Sequence, residues 1–214
     1  RNITSSRNIL IVEDACHALG STYKGTKTGT CSFSDMAVMS FHPVKHITTG
    51  EGGAVLTNDE NLYKQLLLFR SHGITKENLD RETDGPWYYE MHHLGYNYRM
   101  TDIQAALGIS QLKRAEDFIM RRRVIVDIYK EAFHENRWFN LPAERSYAHS
   151  SYHLYPIRLK GAYVSKKKVI FSHLQERGLG VQVHYIPLYW HPYYQRLGYR
   201  EGICPVAENF YRRE

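Results

Sequence analysis

Short apolar runs, separated by turn-rich polar segments, make up the first third of the chain. Residues 8–12, 36–41 and 54–57 are such runs, and a continuous apolar run of this length is typical of a strand buried on both faces of a parallel sheet. Residues 21–34 are rich in glycine and serine, which predicts a short hairpin. Residues 58–59 predict the start of a helix, because apolar residues recur at helical spacing after them. This alternation indicates an α/β protein.

The middle of the chain predicts one long helix. Thr101 is followed three residues later by Gln104, the spacing of a capping box. A helix is expected from Asp102 to beyond Tyr129, with a break along it. Its length suggests that it crosses from one domain to another. We therefore expect a first, cofactor-binding domain over residues 1–115.

The last third of the chain has a different pattern. Residues 152–159 alternate like a half-buried strand, residues 165–177 predict a helix capped by its first serine, and residues 181–185 predict another strand. A final helix is expected from Pro205, since proline is favoured in the first turn. The order strand, helix, strand indicates a second, smaller and incomplete α/β domain over residues 116–214.

Composition narrows the classes of function. The chain has 214 residues and a formal charge of +6, and its lysines and arginines are scattered. A nucleic-acid-binding module would need a basic stripe with interleaved aromatic residues, and the sequence has none. No apolar run approaches the ~20 residues that span a bilayer. Three cysteines and 12 histidines without metal-ligand spacing predict a reduced, cytoplasmic protein with no structural disulfide and no metal site.

Candidate chemistry lies where the predicted strands end. Lys45 follows residues 36–41 just after Pro43, which cannot continue a central strand because it lacks an N–H donor. Asp14 follows the first apolar run, and open α/β sheets bind ligands beyond the carboxyl ends of their strands. Two simpler interpretations stay open: Lys45 is an ordinary surface lysine, or Asp14 is a helix N-cap.

An acid, an amine and a hydroxyl at neighbouring strand ends suggest one cofactor. Pyridoxal phosphate needs an amine for a Schiff base, a carboxylate facing its pyridinium nitrogen, and donors for its phosphate. Lys45, Asp14 and Ser40 are the candidates, and Ser40 lies five residues before the lysine. A lysine displaced by the substrate amine can also move the proton that transamination requires.

Four motifs in order carry a resemblance to a known family: residues 12–20, 40–45, 50–53 and 95–102. With them, the chain resembles the DegT/DnrJ/EryC1/StrS sugar aminotransferases over nearly its whole length. The resemblance implies a fold-type I, pyridoxal-phosphate-dependent transferase, with a three-layer αβα large domain and a small α/β C-terminal domain. Members of the family extend beyond both ends of this chain, so part of each domain is expected to be missing here.

The resemblance assigns roles by position. Lys45 matches the Schiff-base lysine, Asp14 the partner of the pyridinium nitrogen, and Ser40 a phosphate-binding hydroxyl. His17 stands where the family has a glutamine or histidine on the ring side of the cofactor. Asn97 matches an asparagine that reaches the cofactor phosphate of the neighbouring subunit, which implies a homodimer with shared active sites.

Within the family, residues 42–49, 181–187 and 191–194 resemble the branch that serves pseudaminic acid biosynthesis. This implies transfer of an amino group from L-glutamate to C4 of a UDP-linked 4-keto-6-deoxy-N-acetylhexosamine, for flagellin and cell-surface glycans. His184 and Tyr185 are then candidate sugar contacts, or else aromatic side chains that only pack within the small domain. The alternatives are a 4-aminoarabinose- or perosamine-type substrate, and an inactive fragment or pseudoenzyme.

Overall fold

A computed structural model describes residues 3–4, 7, 9–81 and 85–214 of the chain. The chain forms two compact units: unit 1 comprises Arg1–Ile125 and Glu144–His153, and unit 2 comprises Val126–Ala143 and Leu154–Glu214. Asn8, the first residue of the predicted first strand, lies outside the described residues.

The elements follow one another in the order strand-rich, then helical. In chain order they are β1 (Val12–Asp14), β2 (Thr22–Tyr23), β3 (Thr26–Lys27), β4 (Met36–Ser40), β5 (Gly53–Leu56), α1 (Glu60–Arg70), β6 (Ile74–Thr75), β7 (Glu90–Met91), α2 (Asp102–Leu112), α3 (Ala115–Phe133), β8 (Phe139–Asn140), β9 (Ala148–His149), β10 (Arg158–Leu159), a 3₁₀ helix (Gly161–Lys166), α4 (Lys167–Glu176), a second 3₁₀ helix (Leu188–Trp190), α5 (Pro192–Arg196) and α6 (Pro205–Arg213).

The main sheet of unit 1 has the strand order β1–β4–β5. β1 and β4 are parallel, whereas β4 and β5 are antiparallel, so this sheet is mixed. β1 begins at Val12 rather than at the predicted residue 8, and Val12 is 55% exposed. The prediction of a strand buried on both faces is therefore wrong for β1. The reason is that the face of β1 that carries Val12 and Asp14 is exposed, whereas Glu13 on the other face is half-buried.

The predicted hairpin is confirmed as β2 and β3, and it receives a third strand from far along the chain. β2 pairs antiparallel with β3 and also with β9, where Thr22 stands opposite His149. Ser21 Oγ lies 2.9 Å from Ser151 Oγ and accepts the Ser151 backbone N–H at 3.0 Å. Residues 144–153 thus return to unit 1 and pack on its sheets.

The helices of unit 1 begin where the sequence predicts. Asp59 caps α1, its carboxylate accepting the N–H groups of Asn61 and Leu62. Thr101 and Gln104 form the predicted capping box of α2. The predicted break in the long helix is also confirmed, because α2 ends at Leu112 and α3 begins at Ala115. None of the described helices is long and apolar enough to cross a bilayer.

The core of unit 1 lies around β4 and the loop that follows it. Ala37 and Met39 of β4 are buried, as are Ala15 after β1 and Ile47 in the loop. Burying these side chains stabilises the strand ends that carry Asp14 and Ser40, since apolar burial contributes about 25 cal/mol per Å². The core therefore fixes the edge of the sheet at which the candidate residues lie.

Unit 2 is built from the β8–β10 pair and short helices, and it departs from three predictions. The predicted strand 152–159 is reduced to Arg158–Leu159. Residues 181–185 form no strand, and the His184 N–H donates to the Glu214 carboxylate rather than to a neighbouring strand. Ser165 does not cap α4: its hydroxyl donates to the Ala162 carbonyl within the 3₁₀ helix, and α4 begins at Lys167. The final helix does begin at Pro205, as predicted.

Candidate active site

The parallel pairing of β1 and β4 brings two candidate residues to the same edge of the sheet. Asp14, the last residue of β1, stands opposite Val38 of β4, and Ser40 ends β4 two residues further on. Parallel strands end on the same side, so both side chains lie where open α/β sheets bind ligands. Ser40 is half-buried, and its hydroxyl accepts the His42 N–H at 3.4 Å.

Asp14 is exposed and is held in a turn rather than at a helix. Its carboxylate accepts the Cys16 N–H at 3.1 Å, and residues 15–20 are turns, so the helix N-cap alternative does not hold. Hydrogen bonding by the Cys16 thiol and amide holds the pKa of Asp14 below its ordinary value, and the charges of His17 and Lys45 act in the same direction. Asp14 is thus an anionic carboxylate near neutral pH.

Lys45 lies in a loop that is closed at its base by backbone hydrogen bonds. Phe41 donates its N–H to the Gly52 carbonyl at 2.8 Å and accepts the Thr49 N–H at 3.0 Å. Inside the loop, the Lys45 N–H donates to the His42 carbonyl at 2.9 Å, which makes a tight turn. Lys45 itself is half-buried. Its amine is therefore presented from an ordered loop just beyond the end of β4.

Three histidines cluster beside Lys45, and the sequence had singled out only one of them. The ring centroid of His153 lies 4.3 Å from that of His17 and 5.3 Å from that of His46. Burial lowers the pKa of His153 to about 4, and the positive charges of His17, His46 and Lys45 add to this effect. Burial likewise lowers the pKa of His46. Asp14, His17 and Lys45 therefore share one electrostatic neighbourhood with two further histidines.

Asn97, His184 and Tyr185, the remaining predicted contacts to phosphate and sugar, lie on other segments of the chain. Asn97 is exposed and forms an isolated antiparallel bridge with Ser71, just after α1. His184 and Tyr185 belong to unit 2, where the His184 N–H donates to Glu214 at 2.7 Å and Tyr185 is 67% exposed. The roles given to these three residues stay predictions.

A cluster of ligand-type side chains joins the loop after β6 to β7 and the residue that follows it. Asp80, Glu90 and His92 have oxygen and nitrogen atoms within 4.8 Å of one another. The Glu90 carboxylate, however, already accepts four hydrogen bonds, from the N–H groups of Asp80 and Arg81, the Tyr88 hydroxyl and the His92 ring. These contacts explain the cluster as a hydrogen-bonded clasp of the loop.

The donor set at the edge of the main sheet fits pyridoxal phosphate in its chemistry. Lys45 supplies a primary amine for the aldehyde, and Asp14 supplies a carboxylate that stays ionised and can balance a protonated ring nitrogen. Ser40 supplies a hydroxyl for the phosphate.

The family model for the DegT/DnrJ/EryC1/StrS aminotransferases matches residues 1–214. The chain belongs to this family. Its fold is accordingly the α/β fold of these fold-type I transferases, and the neighbours among solved structures agree. The chain spans about half the length of the curated relatives it matches, 54% in the first case.

Relatives and solved structures point to sugar aminotransferases. The chain is 43% identical, over its whole length, to the UDP-4-amino-4,6-dideoxy-N-acetyl-β-L-altrosamine transaminase of Campylobacter jejuni. Helicobacter pylori PseC, an aminotransferase of pseudaminic acid biosynthesis, superposes with a TM-score of 0.88 at 37% identity, covering 99% of this chain and 54% of PseC. Spr1654 of Streptococcus pneumoniae, named as a sugar aminotransferase and solved in its PLP form, has a TM-score of 0.85 at 36% identity, covering 98% and 52%.

Proposed function

We propose that the protein carrying this chain is a pyridoxal-phosphate-dependent nucleotide-sugar aminotransferase. One observation carries the proposal: Asp14 ends β1, and Lys45 lies in the loop just beyond the end of β4, the adjacent parallel strand, so an acid and an amine lie at the same edge of the sheet. Membership of an aminotransferase family supports the same chemistry. Neither the surface-lysine nor the nucleic-acid-binding interpretation explains why an acid and an amine lie at the same edge of the sheet.

Each residue of the site has a separate task in this proposal. Pyridoxal phosphate, when bound, supplies an electron sink for the pair released as a substrate Cα–H bond breaks. Lys45 Nζ holds the cofactor aldehyde between turnovers and, once released, carries the proton from one carbon to another. The anionic Asp14 keeps the ring nitrogen protonated by charge and hydrogen bonding. Ser40 holds the phosphate, and His17 packs on the ring.

For the substrate, we propose L-glutamate as amino donor and a UDP-linked 4-keto-6-deoxy-N-acetylhexosamine as acceptor. The names of the Campylobacter and Helicobacter relatives support the choice of sugar, and L-glutamate is the donor that the family resemblance implies. His184 and Tyr185 are the proposed sugar contacts. The perosamine- and 4-aminoarabinose-type substrates share the same chemistry and differ in sugar configuration, so turnover measured on each 4-keto nucleotide sugar separates them. A preference for another sugar would overturn the substrate assignment and leave the chemistry intact.

We further propose a cytoplasmic homodimer in which Asn97 of one subunit reaches the cofactor phosphate of the other. Its exposure on unit 1 supports this role, because the side chain is open to a neighbouring chain. Mixing subunits that carry Lys45→Ala with subunits that carry Asn97→Ala tests it. If sites are shared, the mixed dimer regains one intact site and part of the activity.

The central experiment attaches the cofactor to the chain. The intact protein is loaded with pyridoxal phosphate, reduced with borohydride and mapped by peptide mass spectrometry. The pyridoxyl label is expected on Lys45, and Lys45→Ala should abolish both labelling and turnover. Lys64→Ala, a change at an exposed lysine on α1, is the matched control and should keep both. A label on another lysine in the wild-type protein would refute the mechanism.

A further inference from the structure

His153 lies near Lys45 because residues 144–153, which follow α3 and β8 in the sequence, return to unit 1. The Arg122 guanidinium donates to the carbonyls of Tyr152 and His153, both at 3.3 Å. Ser151, two residues before His153, is also held in place: it is fully buried, and its N–H donates to the Ser21 hydroxyl. The backbone on which His153 stands is therefore fixed by side chains of unit 1.

The ring of His153 is in contact with two other histidine rings. It lies 4.3 Å from His17, tilted by 53°, and 5.3 Å from His46, tilted by 48°. His46 is itself 4% exposed and is held by the Ser151 carbonyl, 3.3 Å from its Nε2. His17 is the exposed member of the group. The exposed ring of His17 thus rests against the ring of His153, which in turn packs against the buried ring of His46.

Hydrogen bonding does not account for the choice of residue at position 153. The Nδ1 atom of His153 is buried and has no hydrogen-bond partner among the described residues, and the same is true of His46 Nδ1. The side-chain contacts of His153 that the structure shows are those of its ring, to His17 and to His46.

The His153 ring packs in its neutral form, because burial and the neighbouring charged groups both disfavour its protonation. The charged groups that act on His153 are His17 on the loop after β1, His46 and Lys45 on the loop after β4, and Arg122 on α3. Burial lowers the pKa of His153 to about 4, and these neighbouring groups act in the same direction. The ring is therefore neutral at physiological pH, and it can contact His17 without placing another positive charge beside Lys45.

We propose that His153 is a positioning residue of this site, whose neutral aromatic ring holds the His17 ring in the orientation in which it packs on the cofactor. The inference rests on the proposed function, since it takes the cofactor side of His17 from there. It assigns the role to the ring of His153 and not to its nitrogens. A phenylalanine should then replace it, whereas an alanine should not.

The test compares His153→Ala and His153→Phe with His149→Ala, a change at an exposed histidine of β9 outside the cluster. In the intact, cofactor-free protein with ¹⁵N-labelled histidine, the His17 ring signals should shift in His153→Ala and stay close to wild type in the other two. In the loaded protein, His153→Ala should shift the cofactor absorption maximum and lower kcat by about 10- to 100-fold, the effect of a misplaced contact. The KM for glutamate should change far less.

Several results would overturn the inference. Unchanged His17 signals and an unchanged cofactor spectrum in His153→Ala would show that the ring positions nothing. Equal losses in His153→Phe and His153→Ala, at equal stability in urea, would assign the role to a ring nitrogen instead. Labelling of Lys45 by borohydride separates the two proposals: without it the proposed function fails, and with it only the role of His153 is in question.

Discussion

The carbonyl oxygen of Ser151 lies 3.3 Å from Nε2 of His46, the residue next to Lys45. This contact joins positions 105 residues apart in the sequence. The lysine loop therefore rests on a segment that the chain supplies much later, and the order of the site depends on both. The predictions below test the chemistry of the site and the contacts that hold it.

Replacing Asp14 with asparagine should lower turnover by about 100-fold or more, the scale seen when one preorganised electrostatic partner is removed. The amide cannot carry the charge that the aspartate keeps through its hydrogen bonds to Cys16. Borohydride labelling of Lys45 should survive, because the amine is untouched. Turnover and labelling are measured together, with Asp117→Asn on α3 as the control. Full activity in Asp14→Asn would contradict the assigned role.

Removing the Thr101 hydroxyl should destabilise the protein by about 1 kcal/mol, the usual value of a helix N-cap. Thr101 Oγ1 accepts the Gln104 N–H at 3.3 Å, and the Gln104 side chain also reaches the Glu51 carbonyl at 3.0 Å. The matched control is Ser110→Ala, within α2, which removes a hydroxyl without removing a cap. Urea unfolding measures the stability of the variant that lacks the Thr101 hydroxyl and of Ser110→Ala. Equal midpoints in these two variants would show that the cap contributes nothing.

Gly95→Ala should cost about 1–3 kcal/mol, as overpacking does. A Cβ at this position would collide with the backbone nitrogen of Gly73. Gly180→Ala is the control, since nothing lies within 4 Å of its Cβ, and it should be neutral or stabilising. Thermal unfolding compares the two. A Gly95→Ala protein as stable as wild type would mean that the two backbone segments do not meet so closely.

Arg123→Lys should destabilise the protein by roughly 2 kcal/mol, the value of hydrogen bonds to a charged group. Arg123 binds both oxygens of Glu144 at 3.0 and 3.1 Å and the Ser150 carbonyl at 2.6 Å, and lysine cannot reproduce this fork. A double-mutant cycle with Glu144→Gln measures the coupling. Strictly additive effects would show that the pair does not anchor residues 144–153.

The clasp around Glu90 should weaken in acid. Hydrogen bonds, above all from His92, lower the pKa of Glu90 from 4.5 to about 2. Because the folded pKa is the lower one, the contribution to stability is complete above about pH 5 and is lost as the pH falls toward 2. Glu90→Gln should therefore be less stable than wild type at pH 7, with a difference that shrinks over this window. Urea midpoints measured against pH test this, with Glu131→Gln as the control, and a constant difference would contradict it.

The local features of the fold could be predicted because they depend on neighbours in sequence. The capping box at Thr101 and the stop at Pro43 are set by donors and acceptors a few residues apart. The edge position of β1 could not be predicted, because an apolar run has the same residue pattern in a central strand and in an edge strand. Likewise, residues 181–185 have a strand-like pattern, but the His184 N–H donates to Glu214, which is 30 residues away in the sequence.

Part of the candidate site could likewise be predicted from the sequence, and part could not. Strand ends at Asp14 and Ser40 follow from two apolar runs and the geometry of parallel pairing. His153 gave no such signal, since its own segment looks like an alternating strand of the second domain. It joins Lys45 only through the return of residues 144–153, which Arg122 and Ser21 hold in place. A contact of this kind is visible only in three dimensions.

The chain passes from one unit to the other at residues 125–126, 143–144 and 153–154. A polypeptide cut after residue 125 would keep Asp14 and Lys45 but lose Ser151 and His153, so no single cut separates the units cleanly. To study unit 1 alone, residues 144–153 must be spliced onto residue 125 by a designed linker. A protease that cleaves near residue 140 would leave two pieces, each of which carries residues of both units.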